Sequence, residues 1–307
     1  MSSPTDRKRG TASLQHRLAE RGIDRMLWLL VPGVVFVVAL FIYPFMYGIG
    51  LTVQPPSSTQ EQWGGGIFAN YVAFFRDPFI FDSIWITMRL ALPAALFNVL
   101  ASLPIAFKLR GHFRGKRTLM TFLVLPITLG TVLTAQGLLI FGGRQGWLNK
   151  FLIDVGIIEQ PLQLVMNYTG VLLSLIISGF PFAFLLISSY LSGIDPSLES
   201  AARTLGARWR HRLTRITLPL LAPGLATTFI LTFVLAFSVF PSARLVGDAM
   251  GSTRVMSLMA FRAFGEQNDY TMASTIALMM GLVEVVVVLV VLALRQLAYR
   301  GSTGGKG

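Results

Sequence analysis

Residues 270–294 read YTMASTIALMMGLVEVVVVLVVLAL, a run whose one charged residue is Glu284. An α-helix rises about 1.5 Å per residue, so a run of this length exceeds the ~30 Å hydrocarbon core of a bilayer. Only a helix pairs all its own backbone groups where no water can do so. The stretch therefore predicts a membrane-spanning helix. Working outward, five more apolar blocks satisfy the same requirement, at about 27–51, 83–107, 118–141, 164–191 and 219–241.

Composition agrees with this pattern. The chain of 307 residues is 53% hydrophobic and 13% charged, against about 25% charged residues in soluble domains. The net charge of +12 would raise nucleic-acid binding in a soluble protein. Here the basic residues lie between the apolar blocks, where membrane topology needs them, so no nucleic-acid partner is expected. With no cysteine, disulfides and thiolate metal sites are excluded. The first block has no small-residue cleavage site behind it and reads as a retained anchor.

Orientation follows from the arginines and lysines. With the N-terminus inside, nineteen basic residues fall on cytoplasmic segments: Arg7, Lys8, Arg9, Arg17, Arg21, Arg25, Lys108, Arg110, Arg114, Lys116, Arg117, Arg203, Arg208, Arg210, Arg212, Arg215, Arg295, Arg300 and Lys306. Six fall outside: Arg76, Arg144, Lys150, Arg244, Arg254 and Arg262. The positive-inside bias then puts both termini in the cytoplasm. The expected layout is a cytoplasmic arm over 1–26, a six-helix domain over 27–294 and a cytoplasmic tail over 295–307. Residues 13–25 suit a short interfacial helix. The outer loop 54–82 carries turn signals at Pro55-Pro56 and Gly64-Gly65-Gly66. Its aromatics Trp63, Phe68, Tyr71, Phe74 and Phe75 suit headgroup anchoring.

One cytoplasmic segment, 192–218, is longer than a link between spans requires. From Ser192 it reads SGIDPSLESAARTLGA and continues RWRHRLTRITLP to Pro219. Asp195 is a good N-cap and Pro196 suits the first helical position. Glu199 complements the helix dipole, and Gly206 is free to take the left-handed conformation that ends a helix. Ala201 and Ala202 give a low-relief face that another protein's backbone can approach. A helix of some ten residues is marginal alone. A docking helix and a solvated loop that only sets topology both fit these residues.

The same run resembles the coupling motif of ABC importer permeases. In that motif an E-A-A triplet is followed by a glycine four residues after its second alanine, and then, past nine intervening residues, by I-x-L-P. The matching positions are Ser200, Ala201 and Ala202, then Gly206, then Ile216, Thr217, Leu218 and Pro219. The triplet's acidic position holds Ser200, with Glu199 immediately before it. The flanking words D-P-S-L-E and A-A-R-T-L-G-A resemble the permeases of spermidine/putrescine-type importers. The resemblance implies an all-α type I importer permease fold in a bacterial inner membrane. It also implies a polyamine or another small solute such as iron(III), thiamine or phosphonate. The implied partners are a cytoplasmic ABC ATPase dimer, a second and different permease subunit, and a periplasmic or lipid-anchored binding protein. ATP and Mg would be bound by the ATPase and no cofactor by this chain. Glu199, Ser200, Ala201, Ala202, Gly206, Leu218 and Pro219 would be the residues coupling it to the ATPase.

Within the spans, Arg89 and Glu284 are the ionisable residues, and intramembrane charge is costly enough that each should face protein or water. Glu284 on a solute path and a structural Arg89–Glu284 pair are both open; Arg89 could also snorkel toward the outer headgroups. Thr128, Thr131, Thr134, Gln136, Ser178, Gly179, Pro181, Thr227, Thr228 and Ser238 suit helix packing or path lining. Gln136 and Thr131 are the preferred liners.

No G-x-x-x-x-G-K-[ST] loop occurs, so ATP hydrolysis must come from another chain. His16, His112 and His211 are too scattered for a metal site or a triad, and no catalytic cluster is legible. An intramembrane enzyme is disfavoured on that ground. A secondary transporter is disfavoured because neither inverted repeats nor interrupted helices are evident.

Overall fold

The computed structural model describes residues 25–54, 66–111 and 114–299. The expected N-terminal arm and interfacial helix, the turn signals at Pro55-Pro56 and Gly64-Gly65, Trp63, His16, His112 and the end of the tail lie outside these residues. Among the described residues, six helical runs are long and apolar enough to span a bilayer. The first comprises α1 (Arg25–Val37), a π-helical turn (Val38–Ile42) and α2 (Tyr43–Thr52). After a short outer helix, α3 (Ala69–Arg76), come the second span α4 (Pro78–Arg110) and the third, α5 (Lys116–Gly142). Then follow α6 (Trp147–Asp154) and the fourth span α7 (Tyr168–Ser192). On the opposite face sit α8 (Pro196–Thr204) and α9 (Trp209–Arg212). A π-helical turn (Leu213–Thr217) leads from α9 into the fifth span, α10 (Leu218–Phe237). Two short helices, α11 (Pro241–Val246) and α12 (Met256–Gly265), precede the sixth span α13 (Tyr270–Tyr299). Six crossings return the chain to the face from which it set out.

The second, fourth and fifth spans form the centre, and the first, third and sixth expose most of their apolar surface. Lipid tails are as apolar as leucine, so burial of such surface does not drive these helices together; close packing does. Small residues supply it. Ala91, Ala94 and Ala95 of α4 and Ala183 of α7 are fully buried, and α4 runs along α7 over much of its length. At Gly224 of α10 a Cβ would lie 2.5 Å from Cγ of Tyr190, and at Gly179 one would lie 2.5 Å from Nδ2 of Asn98. Two apolar clusters result. One surrounds Leu90, Phe233, Phe237, Met256 and Ile276. The other, near the basic face, surrounds Leu109, Phe184, Ile187, Leu191 and Leu221.

Three features depart from the expected spans. The third is interrupted at Gly130, whose φ of 69° and ψ of 173° fall in a region open essentially to glycine alone. Uninterrupted spans were expected, so this is a correction. The fifth span does not re-enter the membrane at Pro219 as a fresh helix. It continues from Trp209, and the π-helical turn precedes the proline, which lacks an N–H to give. At its far end the helix stops at Phe237, and the chain turns into the separate helix α11, whose Ser242, Ala243 and Val246 are fully buried.

Candidate functional site

The segment between α7 and α10 is built by local chemistry at both ends. The Asp195 carboxylate accepts the Ser197 amide at 2.8 Å, and that bond, with the Ser197 hydroxyl, holds its pKa below the usual aspartate value. Pro196 occupies the first turn, where its missing N–H is no loss. At the other end Gly206 has φ +80°. Its N–H donates to the Arg203 carbonyl at 3.0 Å, and the Ala207 N–H donates to the Ala202 carbonyl at 3.0 Å. These paired bonds are the Schellman closure. Leu205 is 88% exposed and Trp209 62% exposed, so the turn presents apolar surface beyond the spans.

The two sides of α8 differ. Ser200 and Ala201 are exposed and Ala202 is half-buried. Glu199 turns inward: its Oε1 accepts Arg110 Nη1 at 2.6 Å and the Thr217 hydroxyl at 3.0 Å. Arg110 also donates through Nη2 to the Ile194 carbonyl at 2.6 Å. The motif's last residues, Leu218 and Pro219, lie at the start of α10, where Leu218 is half-buried and Pro219 exposed. The sequence reading missed Arg110, counted only as a topology charge, and Thr217, the unspecified position of I-x-L-P. A basic residue ending one span opposite an acidic one in the segment was the available signal.

Inside the spans, the alternative Arg89–Glu284 pair does not form. Glu284 Oε1 accepts the Ser238 hydroxyl at 2.7 Å. Arg89 is exposed, and its carbonyl accepts the Tyr168 hydroxyl at 2.6 Å. Thr131 and Gln136, both on the C-terminal side of the Gly130 interruption, are exposed, whereas Thr134 between them is buried and donates back to the Gly130 carbonyl at 2.7 Å. Among the described residues no hydrogen bond or ion pair joins any two of Arg89, Thr131, Gln136 and Glu284. Several other hydroxyls close onto their own helices: Ser178 to Ser174, Thr227 to Pro223 and Thr228 to Gly224. A polar group left exposed at membrane depth must meet water or another protein chain, since lipid offers no partner.

On the outer face the arginines are engaged. Arg254 lies 3.3 Å from Asp82 and 4.2 Å from the Phe79 ring centroid. Arg244 and Arg262 pair with Glu266 at 3.7 and 3.3 Å, and Arg144 donates to Gln163 at 3.2 Å.

Comparisons with known proteins fit this layout. Residues 98–302 match the family described as binding-protein-dependent transport system inner membrane component. The chain is 31% identical over 217 residues to a probable sulfate transport system permease protein of Prototheca wickerhamii, covering 70% of this chain and 83% of that one. It is 32% identical over 181 residues to the spermidine/putrescine transport system permease protein PotB of Haemophilus influenzae, covering 59% and 63% respectively. Among solved structures it matches a bacterial alginate ABC transporter, in complex with a periplasmic protein bound to alginate pentasaccharide, with a TM-score of 0.77 at 20% identity over 94% and 99% of the two chains. It also matches the MetNI methionine ABC transporter, with a TM-score of 0.54 at 15% identity over 70% and 94%.

Proposed function

The chain belongs to the binding-protein-dependent transport system inner membrane components, the multi-pass permease subunits of ABC importers, and from that premise we propose that it carries a polyamine, with Glu284 on the route. One observation carries the solute assignment. Glu284, near the middle of α13, is only half-buried, and a serine hydroxyl is its hydrogen-bond partner. A carboxylate held at that depth by a neutral group retains its attraction for an amine passing beside it. Exposed Thr131 and Gln136, both following the break at Gly130, would supply hydrogen-bonding groups along the same route. The similarity to a spermidine/putrescine permease supports this reading.

In the proposed assembly a second permease subunit covers the exposed polar positions of the third span. A binding protein delivers solute at the outer face. A cytoplasmic ATPase pair, holding ATP and Mg, receives α8 through Ser200, Ala201 and Ala202. The capped ends of α8 support this role, because a lever must keep its shape while it is pushed. Closure of the ATPase pair would then bias the spans between inward-open and outward-open packings.

A second reading rests on Arg89, a cation exposed on α4, and on the similarity to a sulfate permease. It assigns an oxyanion as cargo. Uptake of radiolabelled spermidine and of radiolabelled sulfate by cells expressing the complete transporter separates the two. The polyamine reading expects saturable spermidine uptake that drops at least tenfold in Glu284→Gln and survives Arg89→Gln. Sulfate uptake lost in Arg89→Gln and unaffected by Glu284→Gln would replace it.

A further inference from the structure

We propose that Arg110, Glu199 and Thr217 form a positioning clasp that fixes α8 to the ends of the second and fifth spans, so that Glu199 acts inside this chain and not as a contact to the ATPase. The proposal rests on the reading of α8 as the ATPase-facing helix and reassigns one of its residues.

The packing of α8 requires such a device. None of its residues is fully buried, so no apolar face seats it against the spans, and a nine-residue helix is marginal by itself. Polar contacts must hold it. Glu199 meets α4 through Arg110 and the turn before α10 through Thr217, at 2.6 and 3.0 Å. Thr217 is buried and its hydroxyl is committed to this bond. Arg110 spans the junction, since its second amino group holds the Ile194 carbonyl just before the Asp195 cap. One guanidinium thus fixes both the entry to α8 and its first turns. Charge-assisted bonds of this length are about twice as strong as neutral ones, and the pair is well shielded, with side chains 21% and 31% exposed. Ser200 and Ala201 meanwhile face away from the clasp and stay exposed. The division of labour is geometric. The exposed side is free to meet a partner, and Glu199 ties the helix to two spans so that a push on α8 moves both.

The test uses the complete complex in nanodiscs, with both permease subunits and the ATPase pair. Glu199→Gln, Arg110→Gln and the exchanged pair Arg110→Glu with Glu199→Arg are compared with wild type. In the single variants the ATPase should co-purify in wild-type yield and KM for ATP should stay within twofold. Stimulation of ATP hydrolysis by the binding protein, purified with the solute it retains, should fall at least tenfold. The exchanged pair should recover part of that loss, but not all, because the Ile194 carbonyl loses its donor and the Thr217 hydroxyl its acceptor. If Glu199→Gln releases the ATPase or raises KM while Arg110→Gln does neither, Glu199 is an ATPase contact and the clasp is overturned. Unchanged stimulation in both single variants, or an exchanged pair no better than either, overturns it as well.

A second measurement needs no ATPase. The chain has no cysteine, so spin labels at Lys108→Cys and Thr204→Cys report the α4–α8 distance alone. The clasp requires a narrow distribution that broadens at least twofold in each single variant and narrows again in the exchanged pair. Equal widths throughout refute it. A wild-type complex that retains no ATPase contradicts the coupling role of α8 instead, and the label widths then decide the clasp.

Discussion

Replacing Gly206 tests whether α8 works through its shape. The residue sits at φ +80° with open space around the position of a Cβ, so substitution meets no steric clash and the backbone term stands alone. A side chain in the left-handed region costs about 1–2 kcal/mol, less for asparagine, whose short polar side chain tolerates it. That cost shifts the ratio of closed to open cap by about 5- to 30-fold. Two bonds go with it, those from the Gly206 and Ala207 amides to the Arg203 and Ala202 carbonyls, and the exit direction toward Trp209 is lost with them. Hydrogen exchange of amides 206–207 should therefore quicken in the order Gly206→Asn, then Gly206→Ala, with Gly206→Glu equal to alanine. Solute-stimulated ATP hydrolysis should fall in the same order while membrane insertion is unaffected. Any excess loss in Gly206→Glu over Gly206→Ala measures the partner surface lying against that position. Wild-type exchange in Gly206→Ala would refute the strain argument, and normal transport by Gly206→Glu would refute the use of the cap in coupling.

Two further outcomes follow from packing and capping. Gly224→Ala forces a methyl within 2.5 Å of Tyr190 Cγ and 2.8 Å of its Cβ, and the Cβ cannot be turned away by side-chain rotation. Overpacking of this kind costs about 1–3 kcal/mol, and a melting temperature in detergent equal to wild type would contradict it. Asp195 has a folded pKa below its unfolded value, so its capping contribution is complete above the ordinary aspartate range and is lost as pH falls through the lower folded value. Amide protection at Ser197 should accordingly be flat from pH 8 to 5 and decline only under stronger acid. Asp195→Asn, which keeps the acceptor without the titration, should abolish that decline; an acid-sensitive Asn variant would point elsewhere.

The spans were legible because about twenty apolar residues in a row have one stable arrangement in a bilayer. Asp195, Pro196 and Gly206 were legible because caps are local, each depending on neighbours within a few residues. The interruption at Gly130 was not, since glycine inside a membrane helix is common and its neighbours show no excess of breakers beyond Pro126. Partner choice was also closed to inspection. Glu199 finds Arg110 across 89 positions and Glu284 finds Ser238 across 46, and in each case another basic or polar residue would have served as well on paper. Arg89 was such a candidate for Glu284, and the helices do not bring the two together.

Apolar run length, basic-residue placement and cap chemistry thus determined from sequence alone that this is a six-span membrane protein with a short capped helix outside the bilayer. All three are one-dimensional signals, set by hydrogen-bond satisfaction along a single segment. Tertiary structure alone decided which side of α8 faces the spans, which spans make the centre, and which polar groups stay exposed. Those outcomes depend on how small residues let whole helices approach, and the rotation of one helix against another is not written in either sequence by itself.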